Sequence, residues 1–220
     1  MNWLLLDFDG TVVDTSGDIA AATNHVRARM GLPPLPVKEV LRHVGEGAER
    51  LLEEVLPLEP GPELEEMVAL WRAYYVAHPA DHSILYPGME RVLQAVPPSR
   101  MALVSNKPED VVLQVARALS LEDKFSVLLG WVRGRPRKPD PAILREALDA
   151  MGGETREAVM VGDGAPDMQA ARALGCPGLG AAWGFHGRET LEKAGATRIL
   201  ERPEEILELW EETTTERGGR

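Results

Sequence analysis

The chain has 220 residues, 44% of them apolar and 27% charged, a balance that suits one large domain, or one domain carrying a smaller insert. A net charge of −11 argues against a general nucleic-acid or anionic-membrane surface, and no apolar run is long enough to span a bilayer. Asp7 interrupts the N-terminal leucines, which argues against a secretory signal, and the single cysteine, Cys176, cannot form an internal disulfide; both suit a cytoplasmic location.

In chain order, the first element is the run WLLL, Trp3 to Leu6, which reads as a buried strand because parallel strands covered on both faces are continuously apolar. From Ser16 to Ile84 the pattern is helical throughout. GDIAAATNHVRARMG has helix spacing and a Gly stop, VKEVLRHVGEGAERLLEEVL reads as two short helices around a Gly-x-Gly loop, and PELEEMVALWRAYYVAHP reads as a longer amphipathic helix. The turn signals DTSGD and LYPGM border this block and predict hinges. Beyond it, MALV (Met101 to Val104) and AVMV (Ala158 to Val161) predict two more strands, with weaker candidates at Phe125 to Gly130 and Gly178 to Trp183. Helices are expected over Pro108 to Leu119, Pro141 to Met151 and Pro166 to Leu174. Strands alternating with helices predict an α/β class: a Rossmann-like parallel sheet core with right-handed crossovers and an inserted all-helical domain. The expected division is 1–15 and 85–212 for the core, 16–84 for the insert and 213–220 for a flexible tail.

The polar groups gather at strand ends. The first strand runs into Asp7 and Asp9, the second into Ser105, Asn106 and Lys107, and the third into Gly162, Asp163 and Gly164, with Asp167 close behind. Ligands of open parallel sheets bind beyond the carboxyl ends of the strands, so these groups should meet at one edge. Lys138, just before the helix-capping Asp140, can reach the same edge. Asp7, Asp9 and Asp163 would repel one another unless a cation joins them, and hard oxygen ligands of this kind suit Mg²⁺. Gly10 permits close backbone approach, and a lysine with a nearby hydroxyl suits a phosphate. Asp7 can then serve as nucleophile and Asp9 as general acid and base. Ser105 and Asn106 are expected both to cap the next helix and to bind phosphate. Lys107 stands between a substrate contact and a plain surface charge. The Gly45-Glu46-Gly47 loop is a candidate for closing over the substrate and bringing Arg50 or His43 near. His25, His78, His82 and His186 read as surface or packing residues, and so does the aromatic cluster WRAYY.

Four motifs in order, DFDGT (Asp7 to Thr11), VSN (Val104 to Asn106), KPDP (Lys138 to Pro141) and GDGAPD (Gly162 to Asp167), give the chain a resemblance to the haloacid dehalogenase superfamily of phosphohydrolases. The resemblance spans essentially the whole chain, including a helical cap after the first motif. It implies Asp7 as nucleophile and Asp9 as general acid/base. It implies a phosphoryl site of Gly10, Thr11, Ser105, Asn106, Lys107 and Lys138. It also implies Mg²⁺ bound by the Asp7 side chain, the Asp9 carbonyl and Asp163, with Asp167 and Gly164 in support; many relatives have Ser at position 164. HVGEGAERLL, YPGM, SNKPE and WGFHG are similar to phosphoglycolate phosphatases, which implies a small phosphomonoester as substrate, 2-phosphoglycolate foremost. The rival expectations are a sugar-phosphate mutase of the β-phosphoglucomutase kind, a pyrophosphatase or nucleotidase, a dehalogenase, a phosphonate hydrolase, and a non-catalytic binding protein on the same fold. The sequence leaves oligomeric state open.

Overall fold

The computed structural model describes residues 1–210; the tail expected at 213–220 lies outside them. The chain opens with β1 (Trp3–Leu6) and a short β2 (Val13–Asp14). Helices α1 (Ser16–Arg29), α2 (Val37–Leu41), α3 (Ala48–Val55) and α4 (Pro62–Ala77) follow, and then β3 (Ile84–Leu85). The remainder alternates: α5 (Met89–Ala95), β4 (Met101–Pro108), α6 (Glu109–Ala118), β5 (Val127–Trp131), α7 (Ala142–Met151), β6 (Ala158–Gly162), α8 (Ala165–Leu174), β7 (Gly178–Ala181), α9 (Gly187–Ala194) and β8 (Arg198–Leu200).

Six strands form one parallel sheet in the order β5-β4-β1-β6-β7-β8. Side chains alternate across a strand, and both faces here are covered. Leu4 and Leu6 of β1 belong to a core shared with α5, α6 and the helical insert. Trp3 and Leu5 belong to the opposite core, with Ile143, Leu144 and Ala147 of α7 and Ala170, Ala171 and Leu174 of α8. This is the α/β parallel-sheet class expected from the sequence. Strand β1 lies between β4 and β6, and Leu6 pairs with Leu103 on one side and Val161 on the other. Asp7, Val104 and Gly162 therefore lie side by side at the carboxyl end of β1.

Three features depart from the sequence expectation. Strand β4 does not stop at Val104 but runs to Pro108, with a register shift against β5 between those residues. The following helix starts at Glu109 after Pro108, so Ser105 and Asn106 are not its caps. The expected hinges are joined: Val13 pairs with Leu85 and Asp14 with Ile84 in an antiparallel ribbon at the base of the insert. Finally, α5, α9 and β8 were not anticipated, being too short to display a period.

The insert rests on the sheet's carboxyl edge through a few polar contacts. Arg72 makes a two-pronged contact with Asp110 (2.8 and 2.7 Å), and Arg137 bonds Glu49 (2.6 Å). No helix among the described residues is long and apolar enough to cross a membrane.

Candidate active site

Between the insert and the carboxyl ends of β1, β4 and β6 lies a cavity that opens to solvent, with about 560 Å³ of empty space including that opening. Asp7, Asp9, Ser105, Asn106, Lys107, Lys138, Asp163, Gly164 and Asp167 line its floor. Residues far apart in sequence meet there because the parallel topology stacks their strand ends.

Lys138 organises the floor. Its ammonium donates to Asp7 Oδ1 (2.7 Å) and to the Val104 carbonyl (2.8 Å), and pairs with Asp167 Oδ1 at 2.7 Å. The loop that carries it is fixed by Asn106, whose Nδ2 donates to the Lys138 carbonyl (2.8 Å) and whose Oδ1 accepts from the Lys138 amide (2.9 Å). The same Nδ2 donates to the Gly45 carbonyl of the insert (2.9 Å). Asn106 thus ties the lysine loop to the Gly45-Glu46-Gly47 turn, which lies so close that a Cβ at Gly47 would stand 3.2 Å from the Asn106 carbonyl.

The carboxylates that converge are Asp7, Asp163 and Asp167, each with an oxygen within 4.8 Å of the others. The sequence reading has Asp7, Asp9 and Asp163 as the converging carboxylates, with Asp167 supporting the metal shell or positioning Lys138; the Asp9 carboxylate lies outside this cluster and that of Asp167 within it. The Asp9 carboxylate turns away: Oδ1 accepts from Thr15 Oγ1 (2.6 Å) and from Lys107 Nζ (2.9 Å). Asp163 Oδ2 accepts from the Phe185 amide (2.6 Å), and Asp167 Oδ2 from the Gly164 amide (3.0 Å) at the start of α8.

Burial, and then the neighbouring Asp167 charge, raise Asp7 to about 7 from its ordinary 3.8, against the pull of Lys138. Burial, followed by Asp7 and Asp167, holds Asp163 well above the usual carboxylate range. Burial alone would depress Lys138, but Asp167 and Asp7 override it and hold the ammonium above its ordinary value. Asp7 and Asp163, which resist ionisation, share one lysine with Asp167, so the cluster is short of positive charge. Asp167 Oδ1 is buried yet accepts no hydrogen bond of good geometry. A hard divalent cation fits this oxygen set.

The other expected positions divide. Gly10 (φ 76°) faces Asp163, whose Oδ2 would stand 2.3 Å from a Cβ there; its amide is already committed to the Val13 carbonyl (2.9 Å), so it offers close approach and not a free donor. Thr11 does not line the cavity. Its side chain is fully enclosed, its Oγ1 has no hydrogen-bond partner and its carbonyl accepts from Trp183 Nε1 (3.0 Å), because the turn after Gly10 points it inward. Lys107 is no surface charge: its side chain is 3% exposed and its ammonium lies 4.1 Å from the Tyr75 ring of α4. Arg50 pairs with Glu53 (2.8 Å) and Glu54 (2.5 Å) on the outer side of α3, and His43 lies 4.0 Å from Glu54, so neither joins the cavity lining. His186 does, although the sequence reading placed it on the surface or in packing. Burial lowers its pKa, partly countered by Asp167. Its position just past the carboxyl end of β7 was the available signal. Ile19, Val44, Leu51 and Trp71 form the apolar roof.

Residues 4–181 match the model of the haloacid dehalogenase-like hydrolase family. The phosphoglycolate phosphatase of Chromobacterium violaceum is 34% identical over 192 residues, covering 84% of this chain and 86% of that one. The phosphoglycolate phosphatase of Caulobacter vibrioides is 34% identical over 203 residues, covering 90% and 85%. The crystal structure of a predicted phosphoglycolate phosphatase from Haemophilus somnus 129pt superposes with a TM-score of 0.85 over 95% of this chain and 97% of that one; at 24% identity it speaks for the fold. The chain belongs to the haloacid dehalogenase-like hydrolase family and is a phosphatase resembling the phosphoglycolate phosphatases.

Proposed function

We propose that the protein hydrolyses a small phosphomonoester, 2-phosphoglycolate foremost, in a Mg²⁺-dependent reaction through a phosphoryl group carried on Asp7. The observation that carries this reading is the separation of two carboxylates two residues apart. Asp7 sits on Lys138 in the acid cluster, while Asp9 is turned to Thr15 and Lys107. Two carboxylates in contrasting surroundings suit two roles.

In the first step a carboxylate oxygen of Asp7 attacks phosphorus, the bond to the ester oxygen breaks, and Asp9 gives its proton to the departing alkoxide. In the second step Asp9 takes a proton from water as that water attacks phosphorus. The Asp7–phosphorus bond then breaks and inorganic phosphate leaves. Lys138 and Ser105 hold the phosphoryl oxygens. Asp7, Asp163 and the Asp9 carbonyl would hold Mg²⁺, with Asp167 and Gly164 in support. When bound, the ion neutralises phosphoryl charge as it develops. Residues 16–84 act as a cap that shapes the cavity, sheds water and selects the substrate.

Phosphate release from a panel of phosphoglycolate, sugar phosphates, nucleotides and pyrophosphate, with and without Mg²⁺, tests this. A strong Mg²⁺-dependent preference for phosphoglycolate is expected, with turnover abolished in Asp7→Asn and severely reduced in Asp9→Asn. Equal activity with and without Mg²⁺, or full activity in Asp7→Asn, refutes the mechanism.

A further inference from the structure

The cavity holds two buried lysines, and they are unequally satisfied. The three protons of Lys138 face three oxygens, on Asp7, Asp167 and Val104. Lys107 has a side chain 3% exposed, and among the described residues its ammonium donates to one oxygen, Asp9 Oδ1 at 2.9 Å. Its remaining surroundings are aromatic: the Tyr75 ring at 4.1 Å and the Trp71 ring at 5.8 Å. Ring faces attract a cation but accept no conventional hydrogen bond. A buried ammonium with donors to spare, on the wall of a cavity, is matched to an oxygen anion brought by the ligand.

Distance restricts what that anion belongs to. To protonate the ester oxygen, Asp9 must come within a hydrogen-bond length of it, about 2.7 Å. Lys107 is 2.9 Å from Asp9 and so stands at most about two hydrogen-bond lengths, plus the width of a carboxylate, from the leaving oxygen. A carboxylate one carbon beyond the ester carbon bridges that gap. An anionic group several atoms farther out overshoots it, and a neutral tail leaves the ammonium unmatched. The apolar roof of Ile19, Val44 and Leu51 offers nothing else to a charged tail.

We propose that Lys107 is the specificity-determining residue of the cavity, binding the carboxylate of a phosphorylated 2-hydroxy acid. This rests on the phosphatase reading above and adds which side chain selects the substrate.

The test compares kcat/KM for 2-phosphoglycolate with that for 2-hydroxyethyl phosphate, a neutral ester of similar size, in wild type and Lys107→Met with Mg²⁺ present. Wild type should prefer the carboxylate ester about 100-fold or more, and Lys107→Met should bring the ratio to within about fivefold of unity, since a site built for a charged partner discriminates strongly against its absence. Activity on the neutral ester will also fall in the variant, because Asp9 loses a partner; the ratio isolates carboxylate binding. If Lys107→Met lowers both esters alike and keeps the ratio, Lys107 acts only as a positioning residue for Asp9 and the proposal is overturned. If wild type cleaves both esters equally, the proposal fails while the phosphatase reading stands. If wild type releases phosphate from no ester, the reading beneath it fails as well. Lys107→Gln, close in length and still a donor, carries the same comparison if the methionine variant does not fold, and Lys107→Arg should keep most of the preference.

Discussion

Replacing Asn106 by alanine removes a buried side chain that joins the Lys138 loop to the insert. Three hydrogen bonds are lost, to the Gly45 carbonyl, the Lys138 carbonyl and the Lys138 amide, at 2.9, 2.8 and 2.9 Å. The residue is 5% exposed, so water does not readily replace them. At a net 0.5–1.5 kcal/mol each, the expected loss of stability is about 2–4 kcal/mol. For a chain of this size that corresponds to a fall in Tm of roughly 5–15 °C. Urea unfolding followed by circular dichroism reads the loss as a lower midpoint at unchanged slope. Activity should fall further than stability implies, because Lys138 loses its backbone anchors. Asn106→Asp keeps the acceptor for the Lys138 amide but turns an acceptor toward two carbonyls, so it should be no better than alanine. A stability loss below about 0.5 kcal/mol, or kcat within twofold of wild type, would refute the argument that Asn106 holds the lysine in place.

Gly10→Ala forces a side chain into the left-handed region and against Asp163; the backbone strain alone is about 1–2 kcal/mol, and displacing that carboxylate should lower kcat/KM about 100-fold, with Mg²⁺ affinity, measured by calorimetry, falling in parallel. Mg²⁺ binding should be proton-linked. Asp7 titrates near 7 in the folded chain through burial and Asp167, against 3.8 unfolded, so metal-free stability falls as pH rises between those values and the ion competes with the proton. Calorimetric Kd should weaken by up to about tenfold per pH unit below 7, and a Kd flat from pH 8 to 6 contradicts the cluster as its site. The exposed Arg72–Asp110 pair should show a coupling under about 1 kcal/mol in a double-mutant cycle, shrinking with salt.

What the sequence disclosed follows its physics. WLLL, MALV and AVMV declare themselves because strands covered on both faces carry no polar residue to confuse the pattern. The polar residues that end them then mark the sheet edge. Asp167 is already expected near the metal, but that its carboxylate and not that of Asp9 joins the cluster is not legible, since both follow strands and only the rotation of each side chain, set by the Gly164 amide in one case and by Thr15 and Lys107 in the other, separates them. Lys107 was ambiguous because its burial comes from Tyr75 and Trp71 on a distant helix. His186 was overlooked for a similar reason. Its loop meets Gly45 of the insert only through tertiary contact, where its Nε2 would stand 3.6 Å from a Cβ at that glycine.

The ribbon of β2 and β3 has a consequence for how such a protein changes over time. Both ends of the insert, at Asp14 and Ile84, are paired neighbours at one place. A change of length between them, away from the Gly45 turn, α3 and α4 that touch the floor, leaves the ribbon's own pairing in place. The catalytic floor and the roof above it thus share one narrow joint in the chain, while Asn106, Arg137 and Lys107 of the floor still touch Gly45, Glu49 and Tyr75 of the roof. A different roof over the same floor has to keep or replace those three contacts.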